Sequence, residues 1–211
     1  LKEDRLAEAI SLLKGFASRI QNGIIPNRFD DSSDHAYYNT ADASLWFINA
    51  VHACINKAGG PEAHPDFPNL IRTCLDIVDA YRTGTDFGIQ VDFDGLLIAG
   101  IPGEAVTWMD ARINGQGVTA RIGKPVELSA LWHNALCCVA EMLEDPAQAA
   151  EYKASAALTR KSFQRFWNEQ ASCCYDVLVS RNGNWRGDTR IRPNQIFAIS
   201  LPYPPLTGES A

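Results

Sequence analysis

Apolar residues recur every three and four positions along five stretches of the chain, which is the spacing of one face of an α-helix. In the first stretch, the residues of this face are Leu6, Ile10, Leu13, Ala17 and Ile20. The pattern predicts five long helices, over residues 4–20, 40–57, 68–81, 127–143 and 146–167. A proline followed by apolar residues predicts the first turns of a sixth helix over residues 193–201. We therefore expect an all-α fold of antiparallel helices.

Residues 84–124 interrupt the helical pattern. The segment contains eight glycines and no sustained helical period, but its scattered apolar residues argue against disorder. A long ordered loop in a compact domain commonly carries function, so we expect this segment to form part of an active site. Within it, Asp94-Gly95 between two short apolar runs predicts a β-hairpin over residues 89–93 and 96–99. Residues 173–178 are expected to form a short strand, followed by a turn over residues 181–184.

Composition and charge narrow the class of protein. A length of 211 residues suits one domain, over residues 1–211, and the net charge of −6 disfavours a nucleic-acid partner. No apolar run approaches the roughly 20 residues of a membrane-spanning helix, and the first residues lack the pattern of a signal peptide, so no membrane partner is expected. Six cysteines without a C-x-x-C spacing predict reduced thiols and a cytoplasmic location.

The first residue bears on whether the chain is a whole protein. The sequence begins at Leu1, without a methionine and inside a predicted helix. We expect a fragment, whose uncovered apolar surfaces would favour self-association.

No metal or cofactor is expected. The four histidines are scattered along the chain, and no His or Cys pair has the spacing of a zinc site. Asp92-Phe93-Asp94-Gly95 is similar to the start of a calcium-binding loop, but the remaining ligands of such a loop are missing.

Carboxylates, aromatic rings and amide or guanidinium groups are concentrated outside the cores of the predicted helices. Polysaccharide sites use carboxylates to move protons, ring faces to contact sugars and amide or guanidinium donors to bind hydroxyls. Asp42 and Trp46 lie four residues apart and therefore on one helix face, where both could contact one sugar. The alternative is an aspartate at a helix start above a tryptophan of the core.

Four ordered segments resemble the amylo-α-1,6-glucosidase domain of glycogen debranching enzymes, and together they span nearly all of the chain. They are IPNRFDD through YNTADASLWF at 25–47, DGLLIAGIPGEAVTWMDA at 94–111, GKPVELSALWHNAL at 123–136 and RPNQIFAISLPYPPL at 192–206. The resemblance implies an (α/α)6 toroid with an active-site funnel, of which this chain would form about half. It also implies inverting hydrolysis of α-1,6-glucosidic branch points in a glycogen-like α-glucan, without a cofactor.

The resemblance implies that Asp110, in the T-W-M-D-A segment, is the general acid. It places the general base at a glutamate well after R-P-N-Q, in a region that this sequence lacks. The residues themselves offer an argument for Asp110, because Trp108 and Met109 give it the partly apolar surround that suits a proton donor. The alternative is a loop aspartate that caps the turn before Gly115.

Nine further residues are expected to bind substrate. They are Arg28, Asp42, Trp46, Asp94, Trp108, Glu127, Asn134, Asn194 and Gln195. For several of them a structural role is the alternative. Glu127 could cap the start of its helix, where its charge suits the helix dipole, and Asn194 and Gln195 could cap the predicted sixth helix. Trp108 could pack in the core, as we expect of Trp132, and Arg28 could be solvated.

Two other functions remain open at this stage. The chain could bind oligosaccharide without cleaving it, which we expect of the isolated 211 residues because the base is missing. It could instead be a helical scaffold whose aromatic residues pack in the core and whose loops bind a protein. Exposure of Trp46, Trp108 and Tyr38 in a cleft shared with Asp110 would argue against the scaffold.

Overall fold

The computed structural model describes residues 5–30, 35–119 and 121–208. About half of these residues are helical, and the described part of the chain contains six α-helices. They are α1 (Leu6–Ala17), α2 (Ala43–Ala58), α3 (Phe67–Thr83), α4 (Val126–Met142), α5 (Pro146–Phe163) and α6 (Phe197–Ser200). All five long helices lie where the apolar period predicts them. Residue 4, the predicted start of the first helix, lies outside the described residues.

Local signals in the sequence account for the helix ends. The hydroxyl oxygen of Thr40 accepts a hydrogen bond from the backbone N–H of Ala43 at 3.2 Å and so caps the start of α2. That helix ends at Gly59, whose positive φ of 98° is costly for residues with a Cβ. Asp145 accepts a hydrogen bond from the N–H of Ala147 at the start of α5. The predicted sixth helix is a 3₁₀ turn, Pro193–Ile196, followed by the short α6.

Helix α4 forms the centre of the fold. Fifteen of its seventeen residues are buried, and it packs against α2, α3, α5 and α6. A helix that is apolar on nearly all sides is stable only when neighbours surround it, which explains its central position. Trp132 is 1% exposed and stacks on the ring of Tyr81 of α3, so its predicted core role is confirmed.

Short antiparallel strands connect the helices. They are β1 (Arg28–Phe29), β2 (Ala36–Tyr37), β3 (Gln90–Val91), β4 (Leu97–Ile98), β5 (Arg112–Ile113), β6 (Gln116–Gly117), β7 (Lys124–Pro125), β8 (Trp167–Asn168), β9 (Cys173–Cys174), β10 (Val177–Arg181) and β11 (Asn184–Gly187). The pairs are β1 with β2, β3 with β4, β5 with β6 and β8 with β9, and β10 lies between β11 and β7. The predicted hairpin at Asp94-Gly95 is confirmed as β3–β4, and the predicted turn over 181–184 joins β10 to β11 through Asn182 and Gly183, both with positive φ.

A buried lysine holds the end of the glycine-rich segment in place. Lys124 is fully buried, and its ammonium group lies 2.6 Å from the carboxylate of Asp92 and 2.7 Å from that of Asp94. The ring of Trp185 covers the same ammonium, with its centroid 4.2 Å away. These contacts join β7 to the β3–β4 hairpin and to β11, so a segment rich in glycine is ordered.

Among the described residues, none of the helices has the length and apolar character needed to cross a membrane.

Gly123 precedes β7 with a φ of 139°, and a Cβ at this position would collide with the carbonyl oxygen of Leu178 in β10. We expect Gly123→Ala to lower the free energy of unfolding by about 2–4 kcal/mol, because backbone strain and overpacking act together. Gly103→Ala is the matched control: its φ is 87°, but nothing lies within 4 Å of the added Cβ. It should cost only about 1–2 kcal/mol, from backbone strain alone. Denaturant unfolding of both variants tests this, and equal losses would contradict the steric argument.

Candidate active site

Asp110 lies between β4 and β5 and lines two adjacent cavities. Its side chain is exposed, and within residues 5–30, 35–119 and 121–208 no ion pair or hydrogen bond occupies its carboxylate. The predicted alternative, a cap on the turn before Gly115, is therefore not formed among these residues. Asp110 is available to a molecule bound in either cavity.

The first cavity, which we call the aromatic cavity, has a volume of about 460 Å³ and is lined by Asp42, Trp46, Trp108 and Asp110, among others. A smaller space of about 330 Å³ shares the walls formed by Asp42, Trp46 and Trp108 and adds Glu127 and Asn194. We include this space in the aromatic cavity.

The second cavity, the polar cavity, has a volume of about 670 Å³. Its walls include Asn27, Arg28, Tyr37, Tyr38, Asn39, Glu104, Asp110 and Arg112. Volumes of roughly 300–1,000 Å³ are typical of sites for small ligands.

The start of α2 positions Asp42 and Trp46. The Thr40 hydroxyl, which caps the helix, also donates a hydrogen bond of 2.6 Å to the carboxylate of Asp42. One turn later, Trp46 is 36% exposed at the cavity wall and meets the ring of Phe197 edge-on, whereas its neighbour Phe47 is 4% exposed in the core. The structure therefore brings Asp42 and Trp46 to one cavity, as their spacing predicts.

The carboxyl group of Asp42 differs chemically from that of a surface aspartate. Burial raises the pKa of Asp42, the Thr40 hydrogen bond opposes this shift, and the negative charge of nearby Asp110 adds to it. Asp42 and Asp110 thus border one cavity, and the more buried of these two aspartates holds a proton more readily than an ordinary aspartate.

A buried charge network borders the aromatic cavity. The guanidinium of Arg121 binds both carboxylate oxygens of Glu127, one of them at 2.6 Å, and both oxygens of Asp176, at 2.8 and 3.0 Å. Arg192 also pairs with Asp176. Burial raises the pKa of Glu127, and the guanidinium of Arg121 opposes this shift. Two guanidinium groups face two carboxylates, so the formal charges of the network balance.

The network reaches the cavity wall through one amide. The Nδ2 of Asn194 donates to Asp176 at 2.7 Å, and its Oδ1 accepts a hydrogen bond of 2.8 Å from the indole N–H of Trp108. Trp108 is 54% exposed, so the network holds a ring that faces the cavity rather than the core. Arg121 also donates to the hydroxyl of Thr107. These hydrogen bonds hold Thr107 and Trp108, just before Asp110 in the chain, in place.

Of the predicted substrate-binding residues, five line the aromatic cavity and one lines the polar cavity. The first group is Asp42, Trp46, Trp108, Glu127 and Asn194, and Arg28 is in the second. Glu127 and Asn194 are 1% exposed and bound by protein partners, so they contribute to the cavity floor.

The structure does not bring Asp94, Asn134 and Gln195 to either cavity. The carboxylate of Asp94 is occupied by Lys124 and Arg165 and also accepts a bond from the N–H of Leu96. Asn134 is fully buried in α4, where its amide binds Asn49 and the N–H of Tyr203. Gln195 accepts a hydrogen bond from the N–H of Cys174 and lines a separate cavity. Each of the three therefore bonds to other parts of the chain.

Sequence reasoning missed the network at the cavity floor. Arg121, Asp176 and Arg192 were not among the predicted site residues. For Asp176 a signal exists, because it is the single charged residue of an otherwise apolar strand prediction, Cys173–Leu178, and a buried charge requires a partner. For Arg121, in a polar loop, the sequence carries no comparable signal.

Comparison with known proteins connects this geometry to a family. The sequence matches the family model described as amylo-alpha-1,6-glucosidase over residues 1–211. The chain belongs to the amylo-α-1,6-glucosidase family. This membership confirms the resemblance carried by the four segments and groups the chain with glycoside hydrolases.

A solved structure supports the fold of this family member. A rhamnosidase from Klebsiella oxytoca with rhamnose bound has a TM-score of 0.57 at 15% sequence identity. The similarity covers 85% of this chain and 33% of that one, so this family member spans about one third of the rhamnosidase chain. At this identity the likeness concerns the fold alone. No curated protein matches the sequence.

The raised pKa of Asp42 predicts a pH dependence of stability. A carboxyl whose pKa is higher in the folded state binds protons more tightly when folded, so its contribution to stability falls as the pH rises above about 4. Asp42→Asn removes this loss and keeps an acceptor for the Thr40 hydroxyl. The free energy of unfolding of the variant, relative to the original protein, should therefore be more favourable at pH 7 than at pH 4.

Denaturant unfolding at both pH values measures the difference. Asp79→Asn, at an exposed position of α3, is the control for the replacement of an aspartate by asparagine. A relative stability of Asp42→Asn that is independent of pH would contradict the assignment of the shift to Asp42.

Proposed function

We propose that this chain forms part of a glycosidase that releases glucose from the α-1,6-linked branch points of a glycogen-like α-glucan, with inversion at the anomeric carbon. One observation carries the proposal: Asp110, unpaired within the described residues, lines a cavity walled by the indoles of Trp46 and Trp108 and by the carboxyl of Asp42. A proton donor, ring faces and hydroxyl-binding groups are three of the components that hydrolysis of a glycosidic bond uses, and a general base is the fourth.

In the proposed reaction Asp110 gives its proton to the oxygen that bridges the two sugars while the bond to the anomeric carbon breaks. A water molecule attacks that carbon from the opposite side, so an α-linkage yields β-glucose. Asp42 binds a hydroxyl of the terminal glucose, and the indoles of Trp46 and Trp108 contact its ring. No step uses a cofactor.

The base that activates the water is proposed to be a glutamate outside these 211 residues. The carboxylates of the aromatic cavity are poorly suited to the task. Glu127 is held by two hydrogen bonds from Arg121, and the carboxylate of Asp42 accepts a hydrogen bond from the Thr40 hydroxyl, so both already have partners within the protein. We therefore infer that the isolated chain binds oligosaccharide without cleaving it.

We also propose that the six helices form part of a larger (α/α)6 toroid. The central position of α4 and the likeness to a much longer rhamnosidase chain support this. A toroid that lacks neighbours would expose apolar side chains such as Leu12 and Ile199, which favours self-association. Four cysteine thiols buried in the core support a reducing compartment, the cytoplasm.

The scaffold alternative receives less support. Trp46 and Trp108 line the aromatic cavity, Tyr38 lines the polar cavity, and Asp110 lines both. Rings that border a shared carboxylate serve a ligand better than they serve a core.

Replacing the proposed acid tests the function directly. In the full-length protein, Asp110→Asn should lower the rate of glucose release from phosphorylase limit dextrin by about 10²- to 10⁴-fold, because the amide cannot supply the proton. Asp79→Asn should retain the original rate. An unchanged rate for Asp110→Asn would remove Asp110 from the reaction, and α-glucose as the first product in NMR spectra would contradict inversion.

A further inference from the structure

The two cavities beside Asp110 differ in chemistry, and we propose that they hold the two sides of the scissile bond. The aromatic cavity holds the terminal glucose. The polar cavity, walled by the β1–β2 hairpin, holds the α-1,4-linked main chain that departs. This assignment rests on the proposed function and adds to it a binding site for the leaving group.

The position of Asp110 is the first argument. A general acid must reach the oxygen between two sugars, so its carboxyl lies where the site of one sugar meets the site of the other. Asp110 and Asn27 are the residues that line both cavities. The other residues that line the aromatic cavity do not line the polar cavity. A substrate that places its bridging oxygen at Asp110 therefore extends into both cavities.

The floor of the aromatic cavity is the second argument. Glu127 and Asn194 close it, and both are buried and bound within the charge network. A closed floor suits a sugar at which the chain ends, as the glucose of a branch stub does.

The polar cavity has the features that a continuing chain requires. A main-chain glucan runs away from the branch point in two directions, so its site must be open and able to bind many hydroxyls. This cavity has a volume of about 670 Å³, and most of the residues that line it carry polar side chains. Its sides include the ion pair of Glu104 and Arg112 and the amide side chains of Asn27 and Asn39.

The β1–β2 hairpin supplies the wall that we expect to contact the main chain. Arg28 and Tyr37 face each other in the strand register, and the guanidinium carbon of Arg28 lies 3.9 Å from the centroid of the Tyr37 ring. Stacking orients a guanidinium that carries five N–H donors. In the part of the chain that the structure describes, no acceptor occupies these donors. They are available to sugar hydroxyls.

Binding of the two products distinguishes the cavities. In the full-length protein, NMR titrations measure the affinity for glucose, which stands for the terminal sugar, and for maltotriose, which stands for the main chain. Tyr37→Ala should weaken maltotriose binding about tenfold, and more than it weakens glucose binding. Trp46→Ala should do the opposite. The KM for limit dextrin should rise in Tyr37→Ala.

Phe29→Ala is the matched control for the structure of the hairpin. Phe29 belongs to β1, where its ring packs 5.1 Å from that of Phe16, and it does not line the polar cavity. Its replacement loosens the same hairpin without altering the cavity wall. Maltotriose binding should be weakened less than in Tyr37→Ala. An equal loss would assign the effect to the stability of the hairpin and overturn the proposal.

The outcomes separate this assignment from the function on which it rests. If the original protein releases no glucose from limit dextrin, the proposed function is wrong and the assignment falls with it. If glucose is released but Tyr37→Ala and Trp46→Ala each weaken both ligands to the same extent, the function stands and the division into two sites is wrong.

Discussion

The candidate site depends on one buried cation, the guanidinium of Arg121. Arg121 is 5% exposed, and its guanidinium spans three parts of the chain: Thr107 in the long loop, Glu127 at the start of α4 and Asp176 just before β10. A guanidinium that is buried away from water is stable only when acceptors bind its N–H groups. The cost of burying Arg121 is therefore offset only when these three parts of the chain surround it as they do here. The cavity floor and the backbone just before Asp110 are set by that arrangement.

Two buried cations explain how a glycine-rich segment can be ordered. Arg121 and Lys124 lie three residues apart at its end, and each binds two carboxylates, Glu127 and Asp176 in one case and Asp92 and Asp94 in the other. Glycines permit the positive φ angles of the segment but contribute little packing. The ion pairs supply the missing constraint. The segment that carries Asp110 thus keeps its turns and is still held in place.

More of the fold than of the candidate site could be predicted from the sequence. Helix periodicity is a local property, and it located all five long helices, as turn chemistry located the hairpins at Asp94-Gly95 and Asn182-Gly183. The partners of a side chain, in contrast, often lie far away in the sequence. Asp94 has the composition of a sugar ligand, but Lys124 and Arg165 bind it from 30 and 71 residues away. Asn134 likewise meets Asn49, 85 residues distant. Residue type and spacing cannot reveal such pairings.

The sequence separation within the charge network has a consequence for synthesis of the protein. Trp108 is fixed by Asn194, which comes 86 residues later, and Arg121 is neutralised in part by Asp176, 55 residues later. While the ribosome has delivered only the first five helices, the guanidinium lacks one of its carboxylates and the indole lacks its acceptor. Contacts of such long range form late. A nascent chain therefore has its helical framework before Arg121 and Trp108 have all of their partners, so the walls of the cavities beside Asp110 are completed last.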